Sequence, residues 1–364
     1  MTPLYWFDEA TREAGKIFNG SNIPSPALKN PSCVLSKSGY DFFMTERKES
    51  LKIVEGVREK AARIIDSSHD LIQIDETAIE TVLIPRIQKF LENQKAEGWA
   101  PAGGELPVEQ ELGVNLFLDV INFCYKDPYS GHEYAYTNPR QFKRATGLLQ
   151  ALVDSGVDWN DFSKVSAISA KQWTEIVQLS PNNPMYLGEE RGERLVKMAD
   201  YLLSQGIPTM TDLLDSIDYD AINLVEFLQD TGLFIDEFQK RSQLAARMVS
   251  NVLTRRQMTP LSGVENLTVM ADYRIPQVFY NLPGVVTIKS DDLLYNLVYD
   301  VPLEPGSREE QALRATSVTI GKTVAEKMGV MEADVDGYLW GLSQEMVKRG
   351  EMSIQHMMVA TDAY

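Results

Sequence analysis

Apolar side chains recur at helical spacing along most of the chain. Clear examples lie in residues 51–65, 142–152 and 195–202, where apolar residues are three, four or seven positions apart: Leu51, Val54, Ala61, Ile64, Ile65; Phe142, Ala145, Leu148, Leu149, Leu152; Leu195, Met198, Ala199, Leu202. Such a repeat gives a helix one apolar face that packs against a neighbouring helix. The pattern therefore predicts an all-α fold.

One segment has a different pattern. Within residues 122–137, the turn sequence YSGH lies between the aromatic runs NFCYKD and EYAYT. A glycine-containing turn between two such runs is typical of a β-hairpin. We expect one short hairpin here and no other β-structure.

The domain boundaries follow from where the periodicity begins. Residues 1–45 are rich in Pro, Ser, Asn and Gly and have no sustained period, which predicts an irregular N-terminal arm. No later break has the composition of a linker, and no repeat of fixed period is present. We expect residues 46–364 to form a single compact helical domain, in one body or in two lobes.

The charge of the chain narrows the class of substrate. Its 364 residues include 35 Lys and Arg against 52 Asp and Glu, which gives a net charge of −17. Such a chain repels nucleic-acid phosphates unless its basic residues form a segregated patch, and the sequence contains no such patch. The charge therefore disfavours a nucleic-acid partner.

The numbers of cysteines and histidines and the distribution of apolar residues argue against disulfide-rich, metal-binding and membrane proteins. Two cysteines, Cys33 and Cys124, and three histidines cannot supply a disulfide framework or the CxxC and HExxH motifs of metal sites. The first 16 residues contain acids and no continuous apolar stretch, and no run of about 18 apolar residues occurs in the sequence. We expect a cytoplasmic protein with no metal and no membrane partner; the sequence leaves the oligomeric state open.

The segment LTVMADYRIPQVFYNL, Leu267–Leu282, combines helical periodicity with an internal proline. Pro276 cannot donate a hydrogen bond to the carbonyl of Asp272, so we expect a helix kink at Asp272. The kink would place Asp272, Tyr273 and Arg274 among apolar residues, where a carboxylate can be partly desolvated. The alternative is a kinked core helix with a surface pair between Asp272 and Arg274.

A second candidate segment is FIDEFQKRSQLAARMV, residues 234–249. The spacing places four polar residues on one helix face: Asp236, Lys240, Gln243 and Arg247. This face is either solvated, with an ion pair between Asp236 and Lys240, or Lys240 and Arg241 form an anion-binding pair.

Two more polar residues stand in unusual surroundings. Asn122 lies among apolar and aromatic residues, beside Phe123 and Tyr125. A buried Asn needs hydrogen-bond partners, which can be a stacked heteroaromatic base or the protein's own core. Arg314 follows Glu310 by one helical turn, and it can pair with that acid or bind an anion.

Four stretches together resemble one known family. LDVINFCYKD, FIDEFQKRSQ, ADYRIPQ and GSREEQALRA occur in the order and approximate spacing of the queuosine salvage proteins, the queuosine 5′-phosphate N-glycosylases. The resemblance extends from about Pro31 to the C-terminus, where His356, Thr361 and Tyr364 match the family's closing pattern. The chain departs from the family after Tyr125, where a tryptophan is missing, and at Ala312, where the family usually has an acid.

The resemblance implies a fold, a reaction and a set of site residues. The fold would be a helical body similar to helix-hairpin-helix DNA glycosylases. The reaction would be hydrolysis of the N-glycosidic bond of queuosine 5′-phosphate without a cofactor, releasing queuine and ribose 5-phosphate for queuine salvage and tRNA modification. The implied catalytic acids are Asp272 and Asp236, and the implied substrate-binding residues are Asn122, Phe123, Tyr125, Lys240, Arg241, Gln243, Tyr273, Arg274 and Arg314. The alternative is a non-catalytic helical module derived from this family that binds a nucleotide or a protein.

Overall fold

The computed structural model describes residues 54–93, 106–137, 141–178 and 185–364. These residues are mostly α-helical, which confirms the predicted all-α class. The predicted N-terminal arm, residues 1–45, lies outside the described residues.

The described elements are fifteen α-helices and four short strands. The helices are residues 54–66 (α1), Glu76–Ala78 (α2), Ile84–Asn93 (α3), Val108–Val120 (α4), Arg144–Asp154 (α5), Phe162–Ser166 (α6), Ala170–Gln178 (α7), Gly188–Ser204 (α8), Met210–Ser216 (α9), Ala221–Asp230 (α10), Lys240–Arg255 (α11), Arg274–Asn281 (α12), Asp291–Val298 (α13), Arg308–Met328 (α14) and Glu332–Lys348 (α15). The strands are Ile72–Ile74 (β1), Ala135–Thr137 (β2), Gln141–Lys143 (β3) and Val286–Ile288 (β4). A π-helical turn, Ile79–Leu83, joins α2 to α3.

The strands form two small antiparallel sheets in the described part of the chain. The predicted hairpin turn is present, because Lys126 pairs with Glu133 as an isolated bridge across YSGH, but the regular pair there is β2 with β3. A second sheet pairs β1 with β4, with Gln73 opposite Thr287, so the expectation of a single hairpin is wrong. Each of these strands has only three residues, too few for the period-two pattern to be recognised.

Side-chain caps fix where several helices begin. Asp220 Oδ1 accepts the backbone N–H groups of Ile222 at 2.8 Å and Asn223 at 3.2 Å at the start of α10. At the start of α14, Ser307 caps Glu310, whose carboxylate in turn accepts the N–H of Gly306 at 2.7 Å. This arrangement resembles a capping box, with the carboxylate on the N–H of the residue before the cap, and it holds Glu310 beside the next turn of α14.

Buried apolar side chains form two main clusters and a small third one. The larger cluster contains side chains from the helices α4 through α11. The second contains side chains from β1, α3, α12, α14 and α15. The third cluster consists of Val57, Ala61, Phe238, Ala271, Ala315 and Val318. Its members from three separate segments are sequence neighbours of Asp236, Asp272 and Arg314, so apolar packing brings these polar residues together.

Within the described ranges, no helix combines the length and the apolar content that a membrane span needs.

Candidate functional site

Asp272 stands at the start of a helix instead of at a kink. Residues 267–273 are not α-helical, and α12 begins at Arg274, so the predicted kink is wrong. Pro276 lies in the first turn of α12, where its missing N–H has no partner to lose. Asp272 Oδ1 accepts the N–H groups of Arg274 at 2.7 Å and Ile275 at 3.0 Å, which makes Asp272 the cap of the helix.

The second carboxylate oxygen of Asp272 is available for chemistry. The residue is 9% exposed, and its Oδ2 has no hydrogen bond or ion pair to any residue in the described part of the chain. The N-terminus of a helix favours a negative charge at this position. The structure therefore holds an oriented carboxylate by one oxygen and leaves the other one free.

Asp236 has a different environment. Its Oδ2 lies 2.7 Å from Nη2 of Arg314 and accepts the backbone N–H of Lys240 at 2.8 Å. Burial raises the pKa of Asp236, but the charge and hydrogen bond of Arg314 outweigh it and hold the pKa below its ordinary value. Asp236 precedes α11, so the predicted ion pair with Lys240 along one helix face is wrong, and the partner of Asp236 is Arg314.

Arg314 connects α14 to the segment that carries Asp272. Its Nε donates to the carbonyl of Ala271 at 2.9 Å, and its Nη1 lies 3.4 Å from Glu310 Oε1. The guanidinium also lies 4.0 Å from the ring centroid of Tyr364. Since these donors bind protein atoms, the arrangement favours a positioning role for Arg314 over anion binding.

Lys240 is a buried cation without a direct partner in the described residues. It is the first residue of α11 and is 7% exposed, and neither a hydrogen bond nor an ion pair reaches its Nζ there. Its positive charge is among the influences that lower the pKa of two nearby acids, Asp119 and Asp336. Lys240 therefore faces a group of carboxylates.

Asp336, on α15, was missed by the sequence analysis. Its Oδ1 accepts the N–H of Met270 at 2.8 Å, two residues before Asp272. Desolvation raises the pKa of Asp336 to about 7, and the negative charge of Asp272 adds to the rise. A usable sequence signal was its spacing from Leu339 and Ser343, which places the acid on a buried helix face.

Asn122 and Tyr125 belong to one hydrogen-bonded chain. The Tyr125 hydroxyl donates to Asn122 Oδ1 at 2.8 Å, and Asn122 Nδ2 donates to Asp119 Oδ1 at 2.7 Å. Burial raises the pKa of Asp119 to about 7, against the lowering effects of Asn122, Lys240 and Arg241. The sequence signal for Asp119 was a single acid inside the apolar run LFLDVI.

Phe123 is covered by arginines. It is 1% exposed, and the guanidinium groups of Arg191 and Arg241 lie 4.0 Å and 5.3 Å from its ring centroid. A ring in this position packs behind the site. Stacking on a base then falls to other aromatic residues.

Arg241 binds backbone carbonyl groups from three separate parts of the chain. Its guanidinium donates to the carbonyl oxygens of Val120 at 2.9 Å, Leu233 at 2.7 Å and Ala363 at 3.2 Å. Burial lowers the pKa of Arg241 to about 10, which is still well above neutral pH. With these donors in use, Arg241 holds the three segments together more readily than it binds an anion.

Gln243 and Arg274 also lie inside the protein. Gln243 Oε1 accepts the N–H of Thr268 at 2.8 Å, which ties α11 to the segment that leads to Asp272. Arg274 is 5% exposed and donates to Gln277 Oε1 at 2.8 Å. The contact of Gln243 thus fixes the backbone before Asp272, and that of Arg274 lies in the first turn of the helix after it.

A small cavity is lined by Tyr273, the residue that follows Asp272. Its walls include Tyr125, Tyr273, His356 and Tyr364, with Lys126 and Arg144 among the polar lining residues. The Tyr273 ring lies 4.7 Å from the His356 ring and 6.4 Å from the Tyr364 ring, measured between centroids. Burial lowers the pKa of His356 to about 3, so this imidazole is neutral at physiological pH. The cavity is aromatic and suits a flat ring.

A metal site needs several ligand side chains close together. Across the described ranges, no group of three or more His, Cys, Asp or Glu side chains is arranged to hold a metal ion.

Comparisons with known proteins identify relatives. The model of the family described as queuosine salvage protein matches residues 108–361, which include Asp119, Asp236, Asp272 and Arg314. A mouse protein named queuosine 5′-phosphate N-glycosylase/hydrolase is 22% identical over 294 residues, covering 74% of this chain and 84% of the relative. Proteins of the same name from Dictyostelium discoideum and Sphaerobacter thermophilus are 24% and 23% identical, covering 64% of this chain and 73% and 75% of the relatives.

Proposed function

Because the chain belongs to the queuosine salvage protein family, we propose that it hydrolyses the N-glycosidic bond of queuosine 5′-phosphate. The products are queuine and ribose 5-phosphate. Family membership agrees with the resemblance found in the four sequence stretches. The names of the relatives from mouse, Dictyostelium discoideum and Sphaerobacter thermophilus support the same reaction.

Asp272 is the proposed catalytic carboxylate. Cleavage of a ribosyl C–N bond passes through an oxocarbenium-like transition state. A carboxylate near C1′ can stabilise this positive charge, or it can activate the attacking water. The observation that carries this role is the asymmetry of Asp272: Oδ1 caps α12, whereas Oδ2 has no partner in the described part of the chain. A fixed carboxylate with one free oxygen meets the geometric need of either role.

Asp236 is proposed to act through Arg314. A carboxylate whose oxygen already binds Arg314 and the N–H of Lys240 is poorly suited to contact the ribose. Arg314 in turn holds the carbonyl of Ala271, beside Asp272. Asp236 is thus a residue that positions Asp272 through Arg314.

The leaving group needs help that a purine would not need. A 7-deaza base has carbon in place of N7, so a proton cannot be delivered there, and hydrogen bonds to other edges must stabilise the departing base. Asn122 and Tyr125 supply polar groups that can bind the base, and Tyr273 supplies an aromatic face in the cavity. The aromatic lining of this cavity supports base binding there.

Lys240 is the proposed partner of the 5′-phosphate. Of the three cations expected to bind an anion, Arg241 and Arg314 use their side-chain donors on protein atoms, whereas Nζ of Lys240 has no partner in the described structure. Binding energy from a phosphate remote from C1′ can orient the reacting bond.

The reaction is tested by incubating the purified protein with queuosine 5′-phosphate and separating the products by chromatography. Release of queuine by the parent and its loss in Asp272→Asn are expected. Asp220→Asn is the matched control, because Asp220 caps α10 with the same pair of backbone contacts. Unchanged nucleotide with the parent protein would favour the non-catalytic binding module, and salt-dependent binding of DNA or RNA would favour a nucleic-acid glycosylase.

We also propose a likeness to helix-hairpin-helix DNA glycosylases, a division into an arm of residues 1–45 and a domain of residues 46–364, and a cytoplasmic location. The motif resemblance supports the first of these, the composition of residues 1–45 supports the second, and the low cysteine content agrees with the third.

A further inference from the structure

Asp119 is an acid in an apolar setting. It lies in the last turn of α4, is 0% exposed, and has buried apolar neighbours in Leu118 and Val120. Its Oδ1 accepts the 2.7 Å hydrogen bond from Asn122, while its Oδ2 is buried without a partner in the described part of the chain. A buried oxygen without a partner costs free energy that a leucine would not cost. The residue therefore calls for an explanation other than stability.

An ionised carboxylate can only accept hydrogen bonds. Because Asp119 accepts, Asn122 must turn its NH₂ group toward Asp119 and its Oδ1 toward Tyr125. The Tyr125 hydroxyl must then donate to that oxygen, which it does at 2.8 Å. One acid thus sets the orientation of the amide and the direction of the hydroxyl proton.

This orientation determines which groups remain for a ligand. Asn122 is 8% exposed and keeps one amide N–H that has no partner in the described residues. The Tyr125 oxygen keeps a lone pair, and Tyr125 lines the cavity beside Tyr273. A neighbouring donor and acceptor match the carbonyl oxygen and ring N–H of a lactam edge, which a 7-deazaguanine base carries.

We infer that Asp119 is a positioning residue for base recognition, which fixes through Asn122 the hydrogen-bond polarity that meets the lactam edge of the base. The inference rests on the proposed function, since the base is that of queuosine 5′-phosphate. The charged groups that act on Asp119 are Lys240 and Arg241, both from α11, and both favour its ionised, accepting form.

The first test is the variant Asp119→Asn. Asparagine has the same shape but can turn either its oxygen or its NH₂ group toward Asn122, so the orientation of Asn122 is no longer imposed. We expect KM for queuosine 5′-phosphate to rise about 10-fold, the scale of one hydrogen bond to a charged group. We expect kcat to change less than about 3-fold, because the base is held alike in the ground state and the transition state.

A double-mutant cycle separates positioning from simple packing. In an Asn122→Ala background, Asp119→Asn should change KM less than about 2-fold, because the residue through which Asp119 acts is gone. Glu111→Gln is the matched control: Glu111 is a buried acid on the same helix, paired with Arg256 at 2.7 Å. This control should lower the thermal midpoint and leave KM unchanged. Unchanged KM in Asp119→Asn, or full additivity with Asn122→Ala, would overturn the inference.

A spectroscopic measurement decides the point without turnover. The side-chain amide resonance of Asn122, assigned by its loss in Asn122→Ala, should shift between about pH 6 and about pH 8 in the parent as Asp119 ionises. The shift should vanish in Asp119→Asn. A resonance that titrates equally in both proteins overturns the inference. Failure of the parent to release queuine overturns only the proposed function.

Discussion

The carboxylate of Asp236 lies 2.7 Å from the guanidinium of Arg314, and this buried ion pair joins segments 78 residues apart. Arg314 also binds the carbonyl of Ala271, one residue before Asp272. The two acids of the site thus have different roles. Asp236 binds Arg314, which holds the backbone at Ala271, and Asp272 has a free carboxylate oxygen.

Asp236→Asn should destabilise the protein strongly. Removal of the charge leaves Arg314, whose side chain is 4% exposed, with only the longer contact to Glu310, and breaking a buried pair costs about 3–5 kcal/mol. Denaturant unfolding at neutral pH measures the loss. Glu193→Gln, which breaks the exposed pair with Lys197, should change the stability very little, because solvent screens the pair. Equal small losses in both variants would contradict the prediction.

Acid should weaken the same pair. The pKa of Asp236 is lower in the folded protein than in the unfolded chain, so its contribution to stability is present above the ordinary pKa of 3.8 and is lost as pH falls through the folded value. Below about pH 4, the thermal midpoint of the parent should therefore fall more steeply than that of Asp236→Asn. Parallel curves would show that Asp236 is not coupled to acid unfolding.

Local signals in the sequence were sufficient for most of the helices. The periodic apolar positions of residues 142–152 and 195–202 involve residues within a few turns of each other, and the structure has α5 and α8 there. Long-range pairs have no such signal. The sequence offered Lys240 as the partner of Asp236, whereas the fold supplies Arg314 from a distant helix.

The interpretation of Pro276 shows a second limit. The apolar positions of residues 267–282 continue across the start of α12, which hides the helix boundary from a periodicity analysis. An Asp followed four residues later by Pro is equally consistent with a cap and a first turn. The hydrogen bonds of Asp272 decide between a kink and a helix start, and they depend on backbone geometry that the residue pattern does not report.

Lys240→Met should reduce turnover of the nucleotide more than turnover of the nucleoside. The substitution keeps the apolar stem and removes the charge that is proposed to meet the 5′-phosphate. A charged hydrogen bond is worth roughly 1.5–3 kcal/mol, so the preference in kcat/KM for the monophosphate should fall about 10- to 150-fold. Lys197→Met, on the exposed face of α8, should leave the preference unchanged. Equal losses on both substrates would place the phosphate elsewhere.

Gly321→Ala should destabilise the protein and slow the reaction. A Cβ at Gly321 of α14 would lie 2.2 Å from Val269 Cγ2, so the added methyl group pushes on the segment that leads to Asp272. Overpacking of this kind costs about 1–3 kcal/mol. Gly56→Ala in α1 meets no atom within 4 Å and should stabilise the protein by about 0.5–1 kcal/mol. If both variants shift the thermal midpoint in the same direction, the close approach of Gly321 to Val269 is contradicted.

Stability should fall as pH rises through neutrality, because of Asp119. Burial raises its pKa to about 7, so the folded protein holds this proton more tightly than the unfolded chain. The resulting stabilisation is complete below about pH 4 and is lost as pH rises through about 7, on a scale of 1.4 kcal/mol per pKa unit, or about 4 kcal/mol in all. Asp119→Asn should therefore gain stability relative to the parent at about pH 8 and lose this advantage at about pH 5. A constant difference across that range would show that Asp119 titrates normally.

Asp272→Asn is the sharpest test of the site. Asparagine keeps the cap of α12, since its side-chain oxygen can accept from Arg274 and Ile275 as the aspartate does, so the thermal midpoint should change little. The charge near C1′ is removed, and kcat should fall by about 100-fold or more, the scale of one lost electrostatic group in a transition state. The nucleotide Kd should stay within about 3-fold of the parent value, because the lost interaction develops mainly in the transition state. Asp220→Asn, with the same cap chemistry on α10, should leave kcat unchanged, and measuring kcat, Kd and thermal midpoint for both variants separates the cap from the chemistry. If Asp272→Asn turns over like the parent while Asp236→Asn is folded and inactive, the catalytic carboxylate is Asp236, and Asp272 serves the fold alone.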